Sequence, residues 1–462
     1  MPHPWIPNSN PKIKEYMLRT IGVEKFDDLI SEIPKEIRLS RPLNIGFDKP
    51  LSEYELLRFF DERLSKSRCF KKPPPFLGGT YCVHYVPSVV KYILMRGELY
   101  TTYTPYHAEI QQGVLQILFE YQSLIAELYG VDVVNASLYD GSTALAEAVR
   151  MASRVTRKMK IAIPSTINRE HLEVLKTWCY GAGISITKIS YDKERGFMDL
   201  ENLKDKLSSR NYAAVVIENP SYLGFIEEWA KDIGEIAHDY KALFIVYSDP
   251  LSLAILKPPG EYGADIVVGD GQPLGLGLNY GGPTLGILGC RRDPKLVRQM
   301  PGRIVGMTTT VDGDERGFAL IWQTREQHIR REKATSNITT NSALMAIAAT
   351  VYLSLLGANG LKKLAKGIIA RVNYAINKLS KIDKVEIPIF KAKFFKNVPM
   401  KFNGIEYREV HKKLLKKGII GGKYIGSEFP ELGEACLMCF TEVHSKSDID
   451  MLASAIEEVI MS

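Results

Sequence analysis

The sequence predicts an open α/β fold in which a large domain, built on a mostly parallel sheet, precedes a small α+β domain. Three observations support this prediction. Between residues 160 and 248, short runs rich in β-branched residues alternate with amphipathic helical patterns, as in parallel strands joined by helices. A glycine-rich polar stretch follows the next strand, at the edge of the sheet where such folds bind ligands. Near residue 336 the pattern changes to long helices separated by single strands.

The length of 462 residues exceeds what one hydrophobic core usually supports. We therefore expect three parts: an N-terminal arm with helices over 1–65, a large domain over 66–335 and a small domain over 336–462. A composition of 45% hydrophobic and 24% charged residues is typical of soluble globular proteins. The N-terminal stretch lacks the apolar core of a signal peptide, and the most apolar predicted helix is shorter than the ~20 residues that a bilayer requires. We expect a cytoplasmic protein without a membrane segment.

The predicted elements follow along the chain. Residues 53–64 form an amphipathic helix in the arm. Residues 114–129 form another, because apolar residues recur every three or four positions and Gly130 ends the run. A strand at 131–138 leads through a short loop to a helix that begins at Ala144. The remaining predictions are strand 160–163, helix 168–180, strand 184–189, helix 199–209, strand 213–218, helix 226–240, strand 243–248, strand 266–268, helix 291–299, helices 343–356 and 359–380, strand 384–390, helix 405–417, strand 435–441 and helix 447–460.

The loop before Ala144 contains Ser142 and Thr143. A strand, a loop with glycine and hydroxyls, and a helix N-terminus together favour an anion, because free N–H groups and the helix dipole point at the loop. In a cofactor-binding protein this loop would hold a phosphate. The same hydroxyls also fit simple N-capping by Ser142 or Thr143, so both interpretations remain open.

One expected residue is absent from the end of the large domain. Asp249 ends a predicted strand, and the next strand leads into Gln272 and Pro273. Many pyridoxal phosphate enzymes use such an aspartate for the pyridinium nitrogen and a lysine after the next strand for the Schiff base. The chain has no lysine between Lys257 and Lys295. Since neither residue at the expected position has an amine, we predict that the chain does not hold this cofactor covalently there.

Two loops are dense in aromatic and polar residues. One contains Tyr103, Thr104 and Tyr106, and the other contains His84 and Tyr85. Long loops of this composition often carry function. Tyrosine clusters also pack as the core of interfaces, so the pattern alone does not decide between the two interpretations.

Charged segments give weaker signals. Residues 301–317 are predicted to be a long loop, and residues 322–344 a charged helix. Helical spacing would place Arg325 and His328 on one solvated face, with Glu332 one turn beyond His328.

The basic stretch 391–423 fits a solvated surface or a docking surface for an acidic partner. Nucleic-acid binding is not expected, because no interleaving of basic and aromatic residues is evident. Cys436 and Cys439 lie in a predicted strand that would place their sulfurs on opposite faces, which argues against a metal or redox pair.

Six strings carry a resemblance to a known family. They are YTPYHAEIQQGVLQ, YDGSTALAEA, DPLSL with PPGEYGADIVVGDGQPLG, NYGGP, PGRIVGMTTT and the highly specific TREQHIRREKATSNI. On these strings the chain resembles the glycine cleavage system P-protein family from about residue 10 to the C-terminus, and more narrowly the N-terminal half, which is subunit 1 in the two-subunit form. The tyrosine motif of that family commonly has glutamine in place of His107, to which we assign no role.

The resemblance implies an aspartate-aminotransferase-like fold, that of pyridoxal phosphate-dependent transferases. It also implies an enzyme of two homologous halves, only one of which carries the cofactor lysine. The half without lysine is the one that this chain resembles, in agreement with Gln272 and Pro273. The implied reaction is decarboxylation of glycine on pyridoxal phosphate, followed by transfer of the aminomethyl group to the lipoyl arm of the H-protein. The homologous subunit 2 would hold the cofactor.

The resemblance further implies that this chain completes the partner's pocket. A reactive carbon formed beside water would be protonated, so the pocket must close. Tyr103, Thr104 and Tyr106 are the first candidates for this role, and His84 and Tyr85 are the second. Ser142, Thr143 and Asp249 would be remnants of a cofactor site, with Asp249 accepting N–H groups of its own turn.

Two alternatives remain at this level. The chain could be a stand-alone pyridoxal phosphate enzyme that uses Lys257 or Lys295. It could also be a scaffold that binds a partner without completing any site.

Overall fold

The computed structural model describes residues 2–41, 43–47, 49–67, 72–102 and 104–461. The chain divides into two compact units, Met1–Cys69 and Phe70–Ser462. The subdivision of the second unit near residue 336 stays a prediction.

The N-terminal unit contains three helices and almost no core. They are α1 (Pro11–Ile21), α2 (Phe26–Leu29) and α3 (Glu53–Leu64). Helix α3 has the predicted bounds and begins with a capping box, in which Ser52 and Glu55 bind each other's backbone N–H. Among the described residues of this unit, Leu18 alone is buried.

The centre of the second unit is a seven-stranded sheet with the strand order β1-β7-β6-β5-β4-β2-β3. Strands β2 to β6 run parallel, and β7 is antiparallel to both of its neighbours. Strands β4, β6 and β7 are buried at every position, as expected for strands covered on both faces. The bounds are β1 (Val133–Val134), β2 (Lys160–Pro164), β3 (Ser185–Ile189), β4 (Ala214–Glu218), β5 (Leu243–Tyr247), β6 (Ile266–Asp270) and β7 (Gly286–Cys290).

The helices of this unit confirm the predicted alternation. The longest, α13, turns at Gly357, whose φ of 57° lies outside the helical region, so the two predicted helices are joined at a kink. Helix α13 is long and apolar enough to cross a membrane, but Ala346, Ala365 and Ile368 on it are fully buried, as in a core helix. The bounds are α4 (Ser88–Leu94), α5 (Gly97–Tyr100), α6 (Gln112–Tyr129), α7 (Gly141–Thr156), α8 (Arg169–Ala182), α9 (Leu200–Leu207), α10 (Ala230–Asp239), α11 (Pro294–Val297), α12 (Gln327–Arg330), α13 (Ala343–Leu379), α14 (Tyr407–Lys416) and α15 (Lys446–Met461).

A hairpin replaces the loop predicted at 301–317. Strands β8 (Ile304–Thr309) and β9 (Arg316–Ile321) pair in antiparallel register around a turn that contains Gly313. Threonine suits strands as well as loops, and the alternation of the two strands becomes visible only when they are paired. Similarly, β7 forms within the predicted glycine-rich loop, because its glycines let neighbouring backbone approach closely.

A four-stranded antiparallel sheet carries helices α14 and α15. The strand order is β10-β11-β13-β12. Its central strand β11 was missed by the sequence analysis, and the strand expected at 384–390 is reduced to two residues. The bounds are β10 (Val385–Glu386), β11 (Asn397–Phe402), β12 (Lys423–Tyr424) and β13 (Ala435–Cys439).

The charged helix predicted at 322–344 is wrong. The segment forms short turns around α12, and Arg331 breaks it with φ 53° and ψ −123°. Arg325 and Glu326 are buried, whereas His328 and Glu332 are exposed, so the predicted solvated face is wrong for Arg325 only. Burial of charged groups follows from tertiary contacts that a local charge pattern does not reveal.

Candidate functional site

The carboxyl ends of β4, β5 and β6 surround a small cavity, which we call the central cavity. Its volume is about 60 Å³, and its walls include Glu218, Asp249, Asp270, Pro273 and Lys396. The first four residues come from the ends of parallel strands, and the last comes from the segment before β11. The cavity therefore lies where an open α/β sheet is expected to bind a ligand.

Gln272 and Pro273 directly follow β6, at the predicted lysine position. Gln272 is 1% exposed, and its Nε2 donates to the carbonyls of Cys82 and Leu276 at 3.1 and 3.2 Å. Its Oε1 has no partner among the described residues. The amide thus ties two loops together at the position where an amine would be required.

Asp249 forms a buried ion pair with Lys396. Its Oδ2 binds the Lys396 ammonium, and its Oδ1 accepts from the Leu251 N–H at 2.9 Å. Burial would lower the pKa of Lys396, but Asp249, Cys82 and Cys439 hold it above its ordinary value. The aspartate accepts an N–H of its own turn, as the sequence suggested, and its second oxygen already has a cationic partner.

The N-terminus of α7 is occupied by a carboxylate of the same chain. Asp270 accepts from the N–H groups of Gly141 and Gln272, both at 2.8 Å, and from the Thr284 hydroxyl at 3.1 Å. Burial raises the pKa of Asp270 to about 6 in spite of these bonds. A side chain at Gly141 would place its Cβ 2.6 Å from the Tyr247 oxygen. The anion position at this helix end is therefore filled.

The cap of α7 is Asp140, not Ser142 or Thr143. Asp140 accepts from the Thr143 N–H at 2.8 Å and from its hydroxyl at 3.0 Å. Both hydroxyl residues are buried in the first turn. The helix is capped by a side chain, as one interpretation predicted, but the capping residue lies two or three positions earlier in the sequence. Aspartate is as good an N-cap as serine.

His171 packs on Tyr247 at one side of the central cavity. The ring centroids are 4.5 Å apart, and Nδ1 of His171 binds Glu218 at 2.7 Å. Glu218 also accepts from the backbone N–H groups of Asn168 and Tyr222. An aromatic side chain of the protein thus lies against the imidazole.

These residues do not fit pyridoxal phosphate. The cavity of about 60 Å³ is small beside the ~300–1,000 Å³ of typical cofactor sites. Gln272 offers no amine, Asp249 is neutralised by Lys396, and Asp270 takes the N–H group that would bind a phosphate. The cavity lies at the carboxyl ends of the strands, and side chains of this chain satisfy most of its polar groups.

Neither lysine of the stand-alone alternative lines the central cavity. Lys257 is exposed and lies 3.9 Å from Glu261, and Lys295 is exposed near the start of α11. Lys396 does line the cavity, but as an ammonium bound to Asp249, which is a poor nucleophile for a carbonyl.

A second cavity, which we call the Tyr106 pocket, lies on the same unit. Its volume is about 210 Å³, and Tyr106, Arg303, Gln327, His328 and Thr339 line it. Arg303 donates to the Tyr106 hydroxyl and to the Thr339 carbonyl, and its charge is balanced by Glu326. The Tyr106 ring is 45% exposed and lies edge-on to His328 at 5.7 Å.

The predicted loop residues separate into two groups. Thr104 is buried beside the Tyr106 pocket, where its hydroxyl accepts from Asn341 at 3.1 Å. His84 and the Tyr85 N–H instead bind Glu442, at 2.9 and 2.7 Å. Tyr103 lies outside the described residues, and His107 is exposed near Glu109. No described contact joins His84 or Tyr85 to the Tyr106 pocket.

The basic stretch 391–423 is largely neutralised within the chain. Six of its lysines face acids of this chain, so it offers less free charge than the sequence suggests; its role in docking stays a prediction. The six pairs are Lys391 with Glu194, Lys393 with Glu228, Lys396 with Asp249, Lys412 with Glu409, Lys417 with Glu458 and Lys423 with Glu428.

Cys436 and Cys439 face different neighbours. The Cys439 sulfur lies 2.8 Å from that of Cys82, whereas Cys436 lies beside Tyr407. The described residues include no cluster of three or more metal-ligating side chains. The pairing of Cys82 with Cys439 joins positions 357 apart, which no local spacing could have indicated.

Three residues that shape these cavities were missed by the sequence analysis. Asp270 lies two residues beyond the predicted strand 266–268, and the structure extends that strand to include it. Arg303 lies within the string PGRIVGMTTT, in the predicted loop 301–317. Lys396 carried no signal, because its partner Asp249 lies 147 residues away.

Comparisons with known proteins agree on one family. The sequence model described as Glycine cleavage system P-protein matches residues 3–456. A protein of Staphylothermus marinus, named probable glycine dehydrogenase (decarboxylating) subunit 1, is 54% identical over 465 residues, covering 99% of this chain and 98% of its own.

Solved structures give the same result. The inhibitor-bound crystal structure of glycine decarboxylase, the P-protein of the glycine cleavage system, is 37% identical with a TM-score of 0.86, covering 99% of both chains. The sphingosine-1-phosphate lyase of Burkholderia pseudomallei is 14% identical with a TM-score of 0.65, covering 91% of this chain and 93% of its own, and shows the fold alone. The predicted fold class, that of pyridoxal phosphate-dependent transferases, is confirmed, and the chain belongs to the glycine cleavage system P-protein family.

Proposed function

We propose that this chain is subunit 1 of a two-subunit glycine dehydrogenase (decarboxylating) and that it acts by completing the active site of a homologous subunit 2. In this proposal the partner holds pyridoxal phosphate, glycine is the substrate, and the aminomethyl group passes to the lipoyl arm of the H-protein. The name of the Staphylothermus marinus relative supports the subunit assignment. A cytoplasmic location belongs to the same proposal, and the free state of the five described cysteines supports it.

The state of the central cavity is the observation that carries this proposal. The residue after β6 that would form the Schiff base is replaced by Gln272, and the anion position at α7 is filled by Asp270. A chain with this cavity has the family's fold without the means to anchor its cofactor. Chemistry of the family then requires a second polypeptide.

The Tyr106 pocket is the part of this chain that we assign to the partner's site. Because Arg303 donates to the Tyr106 oxygen, the phenolic hydrogen remains free to donate to a group in the pocket. The Asn341 side chain donates to the Thr104 hydroxyl and so holds the loop that carries Tyr106, and Glu326 balances the charge of Arg303. These residues can orient an anionic group by hydrogen bonds while their aromatic rings exclude water.

The first experiment tests cofactor binding by the isolated chain. Pyridoxal phosphate is added to the purified chain, and absorbance is recorded between 330 and 420 nm before and after dialysis. We expect no retained absorbance. A band that survives dialysis and disappears in Lys396→Met would instead assign a Schiff base to this chain.

The second experiment tests the Tyr106 pocket. Tyr106→Phe and Tyr103→Phe are reconstituted with the cofactor-bearing subunit, and exchange of CO2 with the glycine carboxylate is measured. We expect Tyr106→Phe to slow exchange about 10-fold or more, because the variant lacks the hydroxyl that would donate to a group in the pocket. Tyr180→Phe, at a 91% exposed position on α8, is the matched control. Exchange at the wild-type rate in both loop variants would refute the pocket assignment, and failure to form the complex would refute the subunit assignment.

A further inference from the structure

Two further cavities adjoin on the Phe70–Ser462 unit. The first, which we call the cationic cavity, has a volume of about 500 Å³ and is lined by charged and polar side chains. The second, which we call the apolar cavity, has a volume of about 460 Å³, and its walls include Val133, Val297 and Ile304. Arg298 and Trp322 line both, so the two cavities are adjacent, and together we call them the depression. Neither shares a lining residue with the central cavity or with the Tyr106 pocket.

The charge of this depression is uniformly positive. No acidic residue is among the described residues that line either cavity. Of the acids near this lining, Glu326 is engaged by Arg303 and Asp293 lies 3.8 Å from Arg291. Asp132 accepts from the Arg292 backbone N–H at 2.8 Å and lowers the net positive charge at that end of the apolar cavity. The lining cations are Arg292, Arg298, Arg325, Arg330 and Lys333, and no ion pair with a described acid is seen for any of them.

Arg325 is the most deeply buried of these cations. It is only 8% exposed, and its guanidinium donates to the carbonyls of Met300, Gly302 and Trp322. These carbonyls satisfy its hydrogen bonds but do not neutralise its charge. Burial lowers the pKa of Arg325, and the charge of Arg303 adds to this effect. A buried cation without a carboxylate is stabilised most directly by an anion bound beside it.

Trp322 separates the two cavities in an unusual conformation. Its φ of 55° and ψ of 31° lie in the left-handed region, which a bulky residue adopts at an energetic cost. Its indole is nevertheless 44% exposed, so burial of the ring does not compensate for this conformation. The indole thus provides an apolar surface at the junction between the charged and the apolar walls.

We propose that the two cavities form one binding site for a small organic anion, with its phosphate or carboxylate group in the cationic cavity and its apolar body in the apolar cavity. Thr324 also lines the cationic cavity and adds a hydroxyl donor, whereas the Thr335 hydroxyl donates to the Arg325 carbonyl at 3.4 Å. Arg298, which belongs to both cavities, would contact the junction of head group and body. This site is independent of the proposed function, because it uses none of the residues assigned to glycine or to the cofactor.

The test uses the full-length chain and 8-anilinonaphthalene-1-sulfonate, whose sulfonate and apolar rings match the two halves of the site. We expect saturable fluorescence enhancement that octyl phosphate or octanoate displaces and that octanol does not. The more effective of the two competitors identifies the head group as phosphate or carboxylate.

Variants connect the binding to the site. Arg298→Glu and Lys333→Glu change exposed side chains, so folding should be retained, and thermal melts verify this. We expect each to weaken binding of the probe about 10-fold or more. Lys381→Glu, an exposed cation outside both cavities, is the matched control and should bind as the wild type does.

Three results would overturn the proposal. They are equal binding by the wild type and both site variants, displacement by octanol as effective as by octyl phosphate, and loss of the site when the chain is combined with its partner subunit. The last would identify the depression as an interface and would leave the proposed function intact. Conversely, failure of the Tyr106 experiment would leave this site unaffected.

Discussion

The ion pair between Asp249 and Lys396 gives the most direct test of what stabilises the central cavity. Lys396→Met removes the ammonium and leaves the Asp249 carboxylate, whose side chain is 15% exposed, with the Leu251 N–H as its described partner. Breaking a buried pair in this way costs about 3–5 kcal/mol, because the remaining charge is desolvated and unpaired. We expect the free energy of unfolding to fall by this amount.

The double variant separates the pair from its parts. In Asp249→Asn with Lys396→Met neither buried charge remains, and we expect most of the lost stability to return, because replacing both partners of a buried pair is often nearly neutral. Urea denaturation at pH 7.5 measures the four proteins of the cycle, and an unchanged m-value shows that the unfolded state is comparable.

The pH dependence has a defined sign. The pKa of Lys396 is raised in the folded chain, so its contribution is fully present below the unfolded lysine pKa near 10.4 and is lost only as the pH rises above it. The stabilisation that Lys396 provides should therefore still be present at pH 9 and decline only at higher pH.

Lys391→Met is the matched control, because its pair with Glu194 is exposed and should leave the denaturation midpoint unchanged. The reasoning is refuted if Lys396→Met is as stable as the wild type or if the two single changes are simply additive.

Three further predictions concern the same region. Gly141→Ala should lower the free energy of unfolding by about 1–3 kcal/mol in urea denaturation, because its Cβ would lie 2.6 Å from a tyrosine oxygen. Gly113→Ala on α6 is the control, because its Cβ meets open space and should not destabilise the chain. The pKa of Asp270 is about 6, above its unfolded value, so its ionisation destabilises the fold as the pH rises from 4 to 7. The stability of the wild type relative to Asp270→Asn should fall by about 2 kcal/mol over this range, and a constant difference would contradict the assignment. The sulfurs of Cys82 and Cys439 are 2.8 Å apart, so the oxidant diamide should link them as a disulfide while it accepts two electrons and two protons. Peptide mass spectrometry detects the link, and its absence would show that the two thiols are kept apart in solution.

The sequence was most informative where its signal is local. The alternation of helices and strands, the end of α6 at Gly130, the break of α13 and the helix at 53–64 depend on periodicity and caps within a few residues. The absence of lysine at Gln272 is also a local fact, and it was sufficient to predict that a cofactor is not anchored there.

The errors have a common cause. The hairpin of β8 and β9, strand β11 and the buried state of Arg325 all depend on a partner that is distant in sequence. The intrinsic preferences of threonine and charged residues for one secondary structure are too weak to override such contacts. For the same reason the sequence did not show that the two aromatic loops have different partners. Tyr106 binds Arg303, whereas His84 binds Glu442.

The sequence by itself determined the fold class, the family and the missing amine at Gln272, because each is written in residue types and short spacings. Only the tertiary structure decided which side chains satisfy the polar groups of the central cavity. Lys396 reaches Asp249 from 147 residues away, and Asp270 reaches Gly141 from 129 residues away. Opposite charges and hydrogen-bonding groups act over a few ångströms in space, whatever their separation along the chain.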